Sequence, residues 1–98
     1  MRKTSAIAQL KSRAGALRKM GATSLFLFGS TARNAATKGS DLDIFIDIPR
    51  RARFSLLNLA AIKHYLEDEL RAPVDITTRG GLHPKLRRGI EQTAIRIY

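Results

Sequence analysis

Leu25 to Ile48 reads LFLFGSTARNAATKGSDLDIFIDI, and this stretch decides the fold. An apolar run stops at Gly29-Ser30, a polar excursion follows, and the chain re-enters an alternating segment that carries Asp41 and Asp43. Side chains alternate across a strand, so Asp41, Asp43, Phe45 and Asp47 share one face while Leu42, Ile44, Ile46 and Ile48 share the other. Asp41 and Asp43 are then aimed at a common point, with Cα atoms roughly 6.5 to 7 Å apart along the strand. That spacing lets both carboxylates converge on divalent cations held about 3.5 to 4 Å from one another. Gly29-Ser30 ends the first strand, where a small residue admits a phosphate and the following turn can offer N–H groups to it. Carboxylates for metal beside a turn for phosphate point to nucleotide chemistry.

The 18 lysines and arginines outnumber the 8 acids, a net charge of +10 that favours acidic partners: nucleic acid, a nucleoside triphosphate or an acidic protein. Solubility alone would also account for such a balance. A chain of 98 residues is expected to be one domain, 1–98, removing roughly 60 to 68% of its unfolded surface around one modest core. Cysteine is absent, which excludes disulfides and a cysteine-ligated zinc site. The opening MRKTSAIAQLKSRAGALRKM is basic and repeatedly broken by polar groups, unlike a secretory or membrane-spanning segment, so a cytoplasmic protein with no membrane partner is expected.

Ile7, Leu10, Ala14 and Leu17 predict a first helix, capped by Thr4 or Ser5 and ended by Gly21. Ser24 to Phe28 reads as a strand buried on both faces, because it shows no alternation. A short helical turn over Thr31 to Ala36, with Arg33 on it, precedes Lys38-Gly39, where the chain turns into the Asp-bearing strand. Ser55 is expected to cap the longest helix, with Leu56, Leu59, Ile62, Leu66 and Leu70 as its buried stripe. Glu67, Asp68 and Glu69 cluster at its C-terminal end, where the macrodipole disfavours anions. A third strand runs from Val74 to Thr77 and points Asp75 away from Val74 and Ile76; beside the second strand, that carboxylate would join Asp41 and Asp43. The closing LRRGIEQTAIRIY reads as a helix with Leu86, Ile90, Ala94 and Ile97 on one stripe. The fold class is therefore α/β (α+β): a mixed sheet of three strands, with room for a fourth, backed by helices.

At Gly29, Ser30, Arg33, Asp41 and Asp43 the chain resembles the minimal nucleotidyltransferase (MNT) group of the DNA polymerase β superfamily, whose third carboxylate falls on Asp75. Where that family often has glycine after the arginine, this chain has Asn34, which tolerates left-handed backbone better than other non-glycine residues. The resemblance implies the polymerase β-like fold and two Mg2+ ions on Asp41, Asp43 and Asp75, with Asp75 serving as ligand or base. It also implies ATP phosphates on Ser30 and the turn, and Arg33 neutralising the departing pyrophosphate. The acceptor it implies is a hydroxyl, a tyrosine of a HEPN-type ribonuclease toxin for which such a protein is the antitoxin, in a hetero-oligomer. A chain this short would need that partner to present the acceptor.

Each residue also has a plainer reading. Ser30 can simply cap a helix, Asp75 can be a solvent-facing edge acid, and Asp47 lies far enough from Asp43 to be structural. His64 and His83 lack metal-ligand spacing and read as surface or packing residues. Two other functions stay open: an antitoxin that neutralises by contact alone, and a transferase acting on a small molecule or RNA. Nucleic-acid binding driven by charge is disfavoured, with four Phe, two Tyr and no Trp to build a stacking platform.

Overall fold

A computed structural model describes residues 1–33, 41–51 and 53–98. Helices α1 (Lys3–Ser12) and α2 (Ala14–Lys19) lead into strand β1 (Ser24–Phe28), a one-turn helix α3 (Gly29–Ala32) and strand β2 (Leu42–Asp47). Helix α4 (Leu56–Leu70), strand β3 (Val74–Thr78), a 3-10 turn (Arg79–Gly81), helix α5 (Pro84–Thr93) and strand β4 (Ile95–Arg96) follow. The four strands form one mixed sheet in the order β3-β2-β1-β4. β1 is antiparallel to β2 and β4, whereas β2 and β3 are parallel and α4 is their crossover.

The core lies on the helical face of the sheet, where Leu25, Leu27, Leu42, Ile44 and Ile46 meet Leu10, Leu17, Ile62 and Leu66. Ser55 caps α4 as expected: its side chain accepts from the Asn58 N–H while Asn58 Oδ1 accepts from the Ser55 N–H. Phe54 and Leu59 occupy the two positions of a hydrophobic staple around that cap. Arg71 closes the helix in the left-handed region, at φ 51°.

Several expectations need correction, among them the buried stripe of α4, in which Ile62, Leu66 and Leu70 are buried but Leu56 is exposed. The first helix is two, parted at Arg13, whose guanidinium turns back to the Gln9 carbonyl at 2.9 Å, and α1 starts at Lys3 with no side-chain cap from Thr4 or Ser5. β1 is buried on one side only: Leu25 and Leu27 enter the core, while Phe26 and Phe28 lie half-buried on the other face. Alternation was invisible in the sequence because both sets are large and apolar. The final helix stops at Thr93, and Ile95–Arg96 add a fourth strand beside Phe26 and Leu27, with Ile97 buried by extended chain. Helix α5 itself buries no residue, and Leu86 is exposed. The helical reading of 34–36, the left-handed turn at Asn34 and the bend at Lys38-Gly39 lie outside the described residues. No helix among the described residues is long and apolar enough to cross a membrane.

Candidate active site

The parallel register of β2 and β3 sets Asp43 directly opposite Asp75, with backbones about 4.8 Å apart. Like charges in such pairs are unfavourable. Two contacts fix this register at its start: the Leu42 N–H donates to the Pro73 carbonyl, and the Val74 N–H donates to Glu67 Oε2 at 3.0 Å. Glu67 therefore positions the strand that carries Asp75, and gives a reason for an acid at the wrong end of a helix dipole. Glu69, its neighbour, pairs with Arg13 at 3.5 Å.

Across the other edge of β2, Asp43 faces Phe28 and touches the next residue, Gly29. Gly29 has φ +74°, and a Cβ placed there would collide with the Asp43 carboxylate and come within 2.9 Å of its Cγ. Glycine is thus required twice over, for backbone conformation and for space. The sequence reading reserved that space for a phosphate; the structure fills it with Asp43. Ser30 follows, half-buried on α3, and Arg33 caps that turn, exposed, with its N–H on the Gly29 carbonyl at 3.2 Å.

Asp41 is exposed and immediately precedes β2. The Asp43 carboxyl is pushed up from its usual value, first by partial burial, then by the charges of Asp75 and Asp41; Arg33 opposes them. Asp75, Asp41 and Arg33, the other charged residues named from the sequence, therefore all act on Asp43. Among the described residues, no side-chain hydrogen bond or ion pair engages the Asp41, Asp43 or Asp75 carboxylate, and no three of the Asp, Glu and His side chains, these three acids included, are grouped so as to hold a metal ion by themselves. The donor set still suits a hard divalent cation that arrives with phosphate oxygens: Mg2+ is commonly held by one or two carboxylates plus its substrate. Carboxylates crowded against one another are the chemistry such an ion relieves.

The same face of β2 carries a feature missed in the sequence. Phe26 and Phe45 stack at 4.6 Å, and the Arg79 guanidinium lies over both, 4.8 and 5.0 Å from their centroids. Arg79 also binds Asp47 through two nitrogens, at 2.7 and 2.9 Å, and Glu91 at 2.6 Å. Asp47 is structural, as its distance from Asp43 suggested. His83 caps α5, its Nδ1 accepting from the Lys85 N–H, and His64 is exposed. Thr31, buried beside Ser30, leaves its hydroxyl without a partner among the described residues. Only side-chain packing reveals Arg79; an arginine before Gly80-Gly81 carries no signal of its own.

The family model described as "Nucleotidyltransferase domain" matches residues 7–97. "Putative protein adenylyltransferase MJ0126" of Methanocaldococcus jannaschii is 41% identical over 75 residues, covering 76% of this chain and 74% of the relative. "Putative protein adenylyltransferase MJ0435" of the same organism is 36% identical over 81 residues, 83% of this chain and 85% of the relative. Among solved structures, "Structure of putative minimal nucleotidyltransferase" superposes with a TM-score of 0.82 at 33% identity, covering 97% of this chain and 95% of the other. A "toxin-antitoxin with AMP-PNP" shares the fold, with a TM-score of 0.69 at 15% identity over 87% of this chain and 72% of that one. With a mixed sheet that sets acids opposite one another above a glycine turn, and a family match over nearly its whole length, the chain belongs to the nucleotidyltransferase domain family and has the fold of a minimal nucleotidyltransferase.

Proposed function

We propose that this nucleotidyltransferase moves AMP from ATP to a protein hydroxyl, a tyrosine of a HEPN-type toxin for which it serves as antitoxin, in the cytoplasm and with Mg2+. The observation that carries the reading is Asp43, set opposite Asp75, close to Asp41 in charge, and packed on Gly29. Relatives named as protein adenylyltransferases support the protein acceptor, and a fold neighbour named as a toxin-antitoxin with AMP-PNP supports the partner and the adenine nucleotide. The HEPN identity rests on the resemblance of the Gly29-Ser30, Arg33 and Asp41-Leu42-Asp43 motif to MNT antitoxins.

The acceptor oxygen attacks the α-phosphorus, the bond from that phosphorus to the bridging oxygen breaks, and pyrophosphate leaves. Asp41, Asp43 and Asp75 would hold the cations, which when bound polarise the phosphate and ease deprotonation of the acceptor. Asp75, exposed on the edge strand, would serve as a ligand or as the base that takes the acceptor proton. The hydroxyl of Ser30 and backbone N–H groups near it would orient the β- and γ-phosphates, and Arg33 would offset charge on the leaving pyrophosphate. Gly29 keeps Asp43 in place throughout.

Incubation with Mg2+, ATP labelled on the α-phosphate and the candidate toxin tests this directly. Label should appear on a toxin tyrosine and vanish with Asp43→Ala. Neutralisation undiminished by Asp43→Ala would convert the reading to a binder, and label on RNA or a small molecule instead would reassign the acceptor.

A further inference from the structure

The parallel strands β2 and β3 start at the acids and end at Asp47 and Thr78; at 3.3 Å per residue Ile48 lies about 17 Å along from Asp43, and Thr78 about 10 Å along from Asp75. A groove of about 330 Å³ opens at this far end, lined by Ile48, Phe54, Leu56, Leu59, Thr77 and Thr78. Leu56 and Leu57 stand beside it on the first turn of α4, 83% and 82% exposed. Adjacent leucines this exposed next to an apolar groove are unusual on a monomer's surface and mark interaction sites.

The charge beside the groove that is not already paired is of one sign, since Asp47, next to Ile48, is held by Arg79. Arg50, Arg51 and Arg53, on the loop that leads into α4, are all exposed. The chain's acids are committed elsewhere: Asp41, Asp43 and Asp75 at the candidate active site, Asp47 and Glu91 on Arg79, Glu67 on the Val74 N–H, Glu69 on Arg13, and Asp68 near the opposite end of α4. Among the described residues, none pairs with the three arginines. The molecule is acidic where β2 and β3 begin and basic where they end.

We infer that the Ile48–Phe54–Leu56–Leu59 groove, with Leu57 and the Arg50, Arg51 and Arg53 loop, docks an acidic protein segment that inserts a large apolar side chain. The arginines supply attraction and orientation, the leucines and groove the dry contact. A second copy of this chain is opposed by its own +10 charge. The surface lies toward the opposite end of β2 and β3 from the Asp43–Asp75 pair and stands whether or not that pair serves nucleotide transfer; it lets a partner be gripped at one end while chemistry occurs at the other.

The test titrates the isotope-labelled full chain, followed residue by residue by NMR, with a short acidic amphipathic peptide that carries leucines on one face. Saturable shifts at Ile48, Leu56, Leu57 and Thr78 are expected, with affinity lowered at least roughly tenfold by Leu57→Ser and unchanged by Asp43→Ala. Joint replacement of Arg50, Arg51 and Arg53 by glutamine should weaken binding and reduce its salt dependence. Leu57→Ser should keep the wild-type thermal midpoint, since that side chain is exposed. Equal binding of a peptide with serine for leucine, or shifts that map elsewhere, would overturn the inference. So would tighter binding of an RNA oligomer or phosphatidylserine vesicles indifferent to Leu57→Ser, or self-association through Leu57.

Discussion

Asp43 and Asp47 stand on the same face of β2, one pleat repeat either side of Phe45, and their surroundings push their carboxyls in opposite directions. Burial and the charges of Asp75 and Asp41 raise Asp43; the Arg79 hydrogen bonds lower Asp47. The unfolded chain titrates both near the ordinary value of about 3.9. Folded protein therefore binds the Asp43 proton more tightly than unfolded protein does, and its contribution to stability falls as pH rises from that value through the folded pKa. Asp47 does the reverse: its contribution is full above the unfolded value and is lost as pH falls through its folded pKa.

Asp43→Asn is thus expected to stabilise the protein at neutral pH while abolishing transfer. Removing one of two directly opposed like charges returns about 0.2–1 kcal/mol, or roughly 1 to 6 °C in a domain of this size. Thermal midpoints measured from about pH 3 to pH 8, across the carboxylate range, should show the gain at the neutral end and none at the acid end. A midpoint lowered at neutral pH would mean that the two carboxylates are not in conflict.

Arg79→Met keeps a long apolar stem over Phe26 and Phe45 but removes the cation. The lost contact with the rings alone should cost about 0.5–1 kcal/mol, and Asp47 should return toward an ordinary carboxyl. The diagnostic result is a flatter acid limb: stability of the variant should fall less than that of the wild type as pH drops below about 4. An unchanged limb would show that Arg79 and Asp47 do not hold each other in solution.

How far the sequence disclosed this arrangement depended on whether a residue's role was local. The place of Asp43 on its strand and of Gly29-Ser30 at the end of β1 was legible because strand alternation and a glycine turn act over a few residues, although the space at Gly29 holds Asp43 rather than a phosphate. Asp75 needed one pairing, β2 beside β3, and the structure supplies it with Asp43 as the opposed residue. Phe26 was misread because a strand of leucine and phenylalanine hides which set faces the core. Ile95 and Ile97 were misread because isoleucine at alternate positions fits a strand, while the preceding Arg-rich segment extends a helical pattern across the boundary. Glu67 and Arg79 were beyond reach: their partners are the Val74 N–H, Asp47 and the Phe26 ring, known only once the chain is folded.

The C-terminal tail offers an alkaline counterpart. Tyr98 donates its hydroxyl to the Ala22 carbonyl at 2.9 Å, under the Arg18 guanidinium, and burial pushes its pKa up to about 12 against the opposing charge of Arg18. Its contribution is complete below the unfolded value of about 10 and is lost as pH rises through about 12. Tyr98→Phe should cost about 0.5–1.5 kcal/mol at neutral pH and flatten the alkaline loss of stability. Thermal midpoints over that range check both effects.

Gly29→Ala tests the contact on which the candidate site rests. The substitution meets two penalties: a left-handed backbone that costs a side-chain-bearing residue about 1–2 kcal/mol, and a methyl driven into the Asp43 carboxylate. The second penalty belongs to the pair and the first does not. Asp43→Ala removes the carboxylate, so adding Gly29→Ala to Asp43→Ala should cost less than adding it to the wild type, with a coupling of about 0.5 kcal/mol or more. Denaturant unfolding of the four proteins measures that difference, and nucleotide transfer by Gly29→Ala alone should be lost although Asp43 is still present. Strict additivity would mean that Asp43 does not rest on Gly29, and that the carboxylate is free to turn away from Asp75.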